Sequence, residues 1–319
     1  MLKDHSRTQA KLKEDLGEQI LSALRNDEIY EVMLNNDGSL FVDGFNGKRK
    51  YGTMSAAAAQ GLINTVSSVA LKNTNKDNPS LSGELYLEMG DELKLFRFQA
   101  FVPPIVSEPS FIIRKRSAVV IPLADFVKDE VITPEQEKIL IEAIKERKSI
   151  LIAGGTQSGK TTLTNAILDC LSLYTPEDRV ITVEDTLELQ CNVEDWLRLQ
   201  AIPPYKTMND LIADAMRSRP DRIIIGEVRG KEAHALIKAW NTGHRGGICT
   251  IHANSCESAL MRLEQLISEA QVNPVPGAIV EAVNILVYIK KTNKGKKGRQ
   301  VTAILELKGY DKEKGYCYV

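Results

Sequence analysis

The sequence predicts an α/β protein: a mostly parallel sheet covered by helices on both faces, preceded by a smaller α+β domain. Three observations carry that expectation. From Thr133 onward helical segments and short apolar strands alternate strictly, the pattern of strands linked by crossover helices. One strand-to-helix junction in that array carries the glycine-rich run Gly154-Gly155-Thr156-Gln157-Ser158-Gly159-Lys160-Thr161. The first third has a different rhythm, of helices and hairpins. At 319 residues, 43% hydrophobic and 6% aromatic, the chain is long enough for about two globular domains.

The first domain spans residues 1–120. From Leu16 the text reads as a helix, then as a hairpin of Glu28 to Leu34 and Ser39 to Asp43 across the turn Asn36-Asp37-Gly38. Ala56 to Leu71 is helical, with Leu62, Ile63, Val66, Val69 and Ala70 on one stripe. The polar run Asn73 to Ser80 is a loop. Gly83 to Met89 and Leu93 to Phe101 are strands joined by Gly90-Asp91-Glu92, and Ser110 to Lys115 is a third after a proline-rich turn.

Residues 121–134 read as a linker, with Pro134 in the first turn of a helix capped by Thr133. The second domain, 135–319, then runs helix Glu135 to Glu146, strand Ile150 to Ala153, helix Thr161 to Leu173, strand Val180 to Val183 and helix Met208 to Arg217. Strand Ile223 to Ile225, helix Lys231 to Thr242 and strand Ile248 to Ile251 continue the alternation. Val301 to Leu307 and Tyr316 to Val319 are strand-like.

Charge is balanced, 41 Lys+Arg against 42 Asp+Glu, so no whole-molecule field favours nucleic acid or lipid. Direct sequence-specific nucleic-acid binding is not expected. The five cysteines form no C-x-x-C pair and no zinc spacing, which points to free thiols in a reducing compartment, the cytoplasm. Met1 to Asp15 is charged throughout and has no apolar core of a secretory signal. The longest apolar stretch, Ile279 to Ile289, is broken by Glu281 and Asn284 and falls short of the roughly 18 residues of a membrane span.

Gly154 to Thr161 fits G-x-x-x-x-G-K-[ST] in the required strand-loop-helix setting. Glycines let consecutive backbone N–H groups turn inward on phosphate oxygens, and the helix N-terminus adds its dipole. Lys160 is then placed to neutralise β- and γ-phosphates, and the Thr161 hydroxyl to ligate Mg2+. A hydrolase also needs a carboxylate for the attacking water, at the end of a strand neighbouring this loop. Two strands offer one: Ile223 to Ile225, followed by Gly226-Glu227, and Val180 to Val183, followed by Glu184-Asp185. Gly226 stands where the usual second nucleotide motif carries a magnesium Asp, which leaves Glu227 as base candidate and Glu184 or Asp185 as support for Mg2+ through water. Asp185 reads equally as a cap of the following segment. His244 and His252 are placed at the same C-terminal sheet edge, where ligands bind. Lys290 to Arg299 holds six basic residues (Lys290, Lys291, Lys294, Lys296, Lys297, Arg299), read as a solvated hairpin tip or, alternatively, a contact for anionic lipid or an acidic partner.

Together these residues resemble the secretion ATPase superfamily of type II and type IV secretion systems, which includes the traffic ATPases of conjugation and the motors of type IV pili. The resemblance covers nearly the whole chain. It rests on a Walker A loop (Gly154 to Thr162), an Asp box (Ile181-Thr182-Val183-Glu184-Asp185), an atypical Walker B (Gly226-Glu227-Val228-Arg229) and a His box (Gly243-His244 to Thr250-Ile251-His252-Ala253-Asn254), in family order. The Pro103-Pro104 turn, the Ile113-Arg114-Lys115 ending and the compact length are similar to conjugal-transfer ATPases of the TrbB type. The tetracysteine motif of type II secretion and pilus-assembly ATPases is absent, as is the C-terminal helical extension of pilus-retraction motors.

The resemblance implies a RecA-like P-loop NTPase core joined to a PAS-like N-domain, with ATP and Mg2+ bound between the two. It implies a homohexameric ring, peripheral on the cytoplasmic face of a bacterial inner membrane, energising a type IV secretion or conjugal transfer apparatus. Inner-membrane components such as a coupling protein, or other machine ATPases, would be its partners. Arg97, Arg114 and Arg116 would reach nucleotide phosphates with bidentate guanidinium forks, and Arg229 is a further phosphate candidate. Glu227, Glu184, Lys160, His252 and His244 are the catalytic candidates. The alternatives are a type IV pilus or type II secretion motor, and a nucleotide-gated scaffold with negligible turnover.

Overall fold

The computed structural model describes residues 2–44, 47–70, 72–115, 120–293 and 297–319, with side chains from residue 6 onward. The chain divides into two compact units, Met1–Arg116 and Ser117–Val319.

In the first unit α1 (Leu2–Arg25), interrupted at Gly17, precedes β1 (Ile29–Leu34), β2 (Ser39–Gly44) and β3 (Arg49–Thr53). Then come α2 (Ala56–Val69), β4 (Ser80–Met89), β5 (Glu92–Phe101) and β6 (Ser110–Lys115). Ser55 starts α2 by accepting a hydrogen bond from the Ala58 N–H, the usual way to satisfy an orphan donor of a first turn. The strands form an antiparallel sheet in the order β3-β2-β1-β6-β5-β4. Side chains alternate across each strand, so Val32, Phe98 and Ile113 enter a core with Leu16 and Ile20 of α1 and Leu62 and Ile63 of α2. Glu31, Arg97 and Arg114, one step along in register, lie side by side on the other face. Strand β3 has no apolar alternation that sequence reading could use; pairing with β2 defines it.

The second unit runs α3 (Leu123–Lys128), α4 (Pro134–Lys145), β7 (Ile150–Ala153), α5 (Lys160–Tyr174), β8 (Val180–Glu184), β9 (Trp196–Gln200), α6 (Met208–Met216) and β10 (Arg222–Val228). It continues with α7 (Glu232–Asn241), β11 (Ile248–Ile251), α8 (Cys256–Ser268), α9 (Pro276–Ala282), β12 (Ile285–Lys291), β13 (Arg299–Asp311) and β14 (Gly315–Tyr318). The sheet order is β14-β13-β12-β7-β11-β10-β8-β9, parallel from β12 through β9 and antiparallel over β13 and β14. Alternate residues of the parallel strands feed two cores. Leu151, Ile181, Ile223 and Cys249 pack with Leu236 of α7 and Leu263 of α8, while Ile152, Ile224 and Val287 pack with Leu140 of α4 and Leu163 of α5. Each such aliphatic side chain contributes about 1.5–3 kcal/mol by burial.

Within residues 121–134, expected as a linker, several side chains pack into the second core. Leu123 and Phe126, one turn apart on α3, are buried with Val131 and Ile132 against α4 and α5. Thr133 and Gln136 then close a reciprocal capping box on α4, with Pro134 in its first turn. The apolar stretch Ile279 to Ile289 is divided between α9 and β12, and among the described residues no helix is long and apolar enough to cross a membrane.

Candidate active site

Strand β7 is buried along its length and ends at Gly154, where a Cβ would stand 2.4 Å from the Ile289 carbonyl oxygen of β12 and 2.5 Å from Ser158 Oγ. Only glycine fits there. Gln157 (φ 57°) and Gly159 (φ 100°) both take left-handed backbone conformations, curling the loop into the first turn of α5. The resulting cradle presents the helix N-terminus and its N–H groups to an anion. Lys160 is buried, and its ammonium donates to the carbonyl oxygens of Gly154 (3.0 Å) and Gly155 (3.1 Å). Ser158 Oγ is buried with no hydrogen-bond partner among the described residues. A loop with these features fits a polyphosphate. Thr156 lies within it, and Thr162 follows in the first turn of α5.

Glu227 joins this lysine from β10. Its Oε1 lies 3.8 Å from Lys160 Nζ and 3.0 Å from His252 Nε2, and His252 Nδ1 lies 3.3 Å from Lys160 Nζ. Its Oε2 accepts from Arg229 Nε at 2.5 Å, and Arg229 also reaches Asp185 Oδ2 at 2.7 Å. Burial holds the His252 imidazole below its ordinary value; the Lys160 and Arg229 cations push the same way and Glu227 opposes them. Lys160, Glu227, His252, Arg229 and Asp185 therefore form one charged chain at the loop. Strand β10 is not the immediate neighbour of β7, however: β11 runs between them and delivers His252.

Glu184 is almost completely buried, and its Oε1 accepts the backbone N–H groups of Glu188 (2.7 Å) and Leu189 (2.8 Å). It fills the space beside Gly226, where a Cβ would come within 3.2 Å of Glu184 Cγ. That tight contact favours glycine at the position of the usual magnesium Asp. The acid facing the Thr161 hydroxyl is Glu188, whose Oε2 lies 3.4 Å away. Thr161 and Glu188 make an all-oxygen pair suited to a hard divalent cation such as Mg2+. Asp185 is engaged instead with Arg229 and with the Thr186 N–H. The sequence signal for Glu188 is a third acid four residues beyond Glu184, in the loop that follows the same strand.

His244 is not at this edge. It precedes β11, which is parallel to β7, so it lies where the strands begin, with its Nδ1 3.3 Å from the Pro220 carbonyl ahead of β10. Arg97 and Arg114 face each other across β5 and β6 in the first unit, and Arg114 Nε is 3.5 Å from Glu31 Oε1. Arg116 falls outside the described residues. The basic run flanks a hairpin, its described lysines are exposed, and some of its cations also have partners within the chain. Lys291 Nζ lies 2.9 Å from Gln157 Oε1, Arg299 Nε donates to the Gln157 carbonyl at 3.3 Å, and Lys297 is 3.8 Å from Asp129. Lys290 is exposed, and Lys294 and Lys296 lie outside the described residues.

A family described as "Type II/IV secretion system protein" matches residues 49–302. The chain is 42% identical over 304 residues to "Probable conjugal transfer protein TrbB" of Sinorhizobium fredii, covering 95% of this chain and 91% of that protein. It is 42% identical to "Conjugal transfer protein TrbB" of Rhizobium radiobacter, covering 97% and 93%. Among solved structures, the Legionella pneumophila ATPase DotB aligns with a TM-score of 0.67 at 19% identity, over 89% of this chain and 78% of that one, a likeness of fold.

Proposed function

We infer that this chain, which belongs to the type II/IV secretion system protein family, is an ATP-hydrolysing traffic ATPase energising a type IV secretion or conjugal transfer apparatus. The observation that carries the reading is the convergence of Lys160, Glu227 and His252 at a glycine-built phosphate loop. The conjugal-transfer role rests on relatives that span most of this chain.

In this reading the loop from Gly154 to Thr162 binds the phosphates of ATP, and the Lys160 ammonium exchanges the Gly154 and Gly155 carbonyls for β- and γ-phosphate oxygens. Thr161 and Glu188 hold Mg2+. The cation, when bound, neutralises charge on the phosphate oxygens. Glu227 orients and deprotonates the attacking water, as a carboxylate one strand removed from the loop leaves room for substrate in front of it. His252, within reach of both Lys160 and Glu227, holds the pair aligned. Arg229, paired with Glu227 and Asp185, is better supported as an orienter of that carboxylate than as a phosphate ligand. Glu184 is better supported as the brace of the 185–189 loop than as the base. Arg97, Arg114 and Arg116 are assigned to the phosphates by the family resemblance alone.

We further propose a homohexamer, peripheral on the cytoplasmic face of the inner membrane and coupled to membrane components of the machine. Particle mass with and without ATP, measured beside phosphate release with and without vesicles of inner-membrane lipid, tests this. A six-subunit particle with turnover is expected. A monomer contradicts the ring, and a hexamer that binds ATP without releasing phosphate would turn the reading into the scaffold.

A further inference from the structure

The β12–β13 hairpin builds one flank of the phosphate loop. Strand β12 pairs in parallel with β7, which carries the end of β12 past the point where β7 gives way to Gly154. The Ile289 carbonyl presses on Gly154 so closely that no side chain fits between. Two residues further, Lys291 Nζ meets Gln157 Oε1 at 2.9 Å. From the returning strand, Arg299 Nε donates to the Gln157 carbonyl at 3.3 Å, and Arg299 Cδ lies 3.1 Å from where a Gly159 Cβ would be. Gln157 carries a side chain at a φ of 57°, a conformation L residues disfavour, and it is the residue these two cations engage.

We propose that Arg299, assisted by Lys291, is a positioning residue for the phosphate loop: it holds the left-handed turn at Gln157 and Gly159 in the form that receives a nucleoside di- or triphosphate. The proposal rests on the nucleotide-site reading above and adds to it a residue far from the loop in sequence. A hydrogen bond from a guanidinium to a strained carbonyl fixes the turn before the ligand arrives, so its loss is felt in affinity. Two cations at the rim also raise the local concentration of a polyanion.

Equilibrium binding of ATP and ADP to the full chain tests it, with thermal midpoints and steady-state kinetics, for wild type, Arg299→Ala, Arg299→Lys and Lys291→Ala. Arg299→Ala is expected to weaken ATP and ADP alike by about tenfold, with KM rising more than kcat falls. Arg299→Lys, which keeps a charged donor, should bind more tightly than the alanine variant. Lys291→Ala, an exposed change that leaves folding intact, should weaken both nucleotides by about threefold and decides the matter if Arg299→Ala fails to fold. Wild-type affinity in both alanine variants, or a loss confined to kcat, overturns the proposal. Failure of the wild type to bind either nucleotide would instead overturn the site reading beneath it.

Discussion

Glu227 Oε1 lies 3.8 Å from Lys160 Nζ although the strand bearing the carboxylate is two places from the strand that leads into the lysine. Two strand spacings amount to about 10 Å of backbone separation, so both side chains lean across the end of β11, and His252 stands in the gap. An ammonium that is nearly buried beside an acid is placed to answer to a ligand's charge. Lys160→Ala should lower ATP affinity by about 10- to 100-fold, the scale of a charge-assisted hydrogen bond, and abolish turnover. Isothermal titration calorimetry checks it; affinity equal to the wild type would remove Lys160 from the phosphate site.

Restoring the usual acid at position 226 should do harm. A Cβ on Gly226 would lie 3.2 Å from Glu184 Cγ, so an acid there presses on Glu184 and strains its bonds to the Glu188 and Leu189 N–H groups. Gly226→Asp is expected to cost about 1–3 kcal/mol of stability in denaturant unfolding. An unchanged midpoint would show that Glu184 does not hold this place.

His252 makes stability depend on pH. Its side chain is 46% exposed, yet partial burial and the Lys160 and Arg229 cations hold its pKa below the ordinary value, so the folded protein binds slightly fewer protons than the unfolded chain below about pH 6.5, an effect softened by solvent. The contribution is present above that pH and is lost as the solution is acidified. The thermal midpoint of the wild type should therefore fall more steeply between about pH 6.5 and 5 than that of His252→Gln. Parallel curves would contradict this.

At the opposite edge of the same sheet, Asp178 is fully buried and accepts from Arg222 Nε at 2.5 Å and from Arg147. Arg222 also donates to the Gly246 (3.2 Å) and Ile144 (2.9 Å) carbonyls, tying the loop before β11 to the end of α4. Asp178→Ala leaves a buried guanidinium without its anion and should cost about 3–5 kcal/mol, read by chemical denaturation. A loss under about 1 kcal/mol would mean that water or another acid takes over.

The glycine-rich loop could be read from the sequence because its glycines answer to local geometry: Gly154 passes under β12, and Gly159 takes a positive φ. Glu227 was legible as an acid near the end of an apolar strand. What sequence could not supply was lateral order. Buried parallel strands are interchangeable apolar runs, so nothing in Ile248 to Ile251 says that β11 separates β7 from β10. His244 and His252 are close in the text yet lie at opposite ends of one strand, since a strand carries its two flanking loops to opposite edges. The contacts of Lys291 and Arg299 with Gln157 were hidden from sequence because they exist only once β12 has paired with β7. Strand β9 is easily passed over because the alternation of Leu197 and Leu199 with Arg198 and Gln200 is only five residues long with Trp196 included.

The most direct test of hydrolysis at this site is phosphate release by Glu227→Gln measured beside its ATP affinity. The substitution keeps the shape and one acceptor oxygen, enough for the bond from Arg229 or from His252 but not both, and removes the base. Turnover should fall by about 10²–10⁴-fold while ATP binding stays close to that of the wild type. Wild-type phosphate release from Glu227→Gln would contradict the assignment and move the base elsewhere.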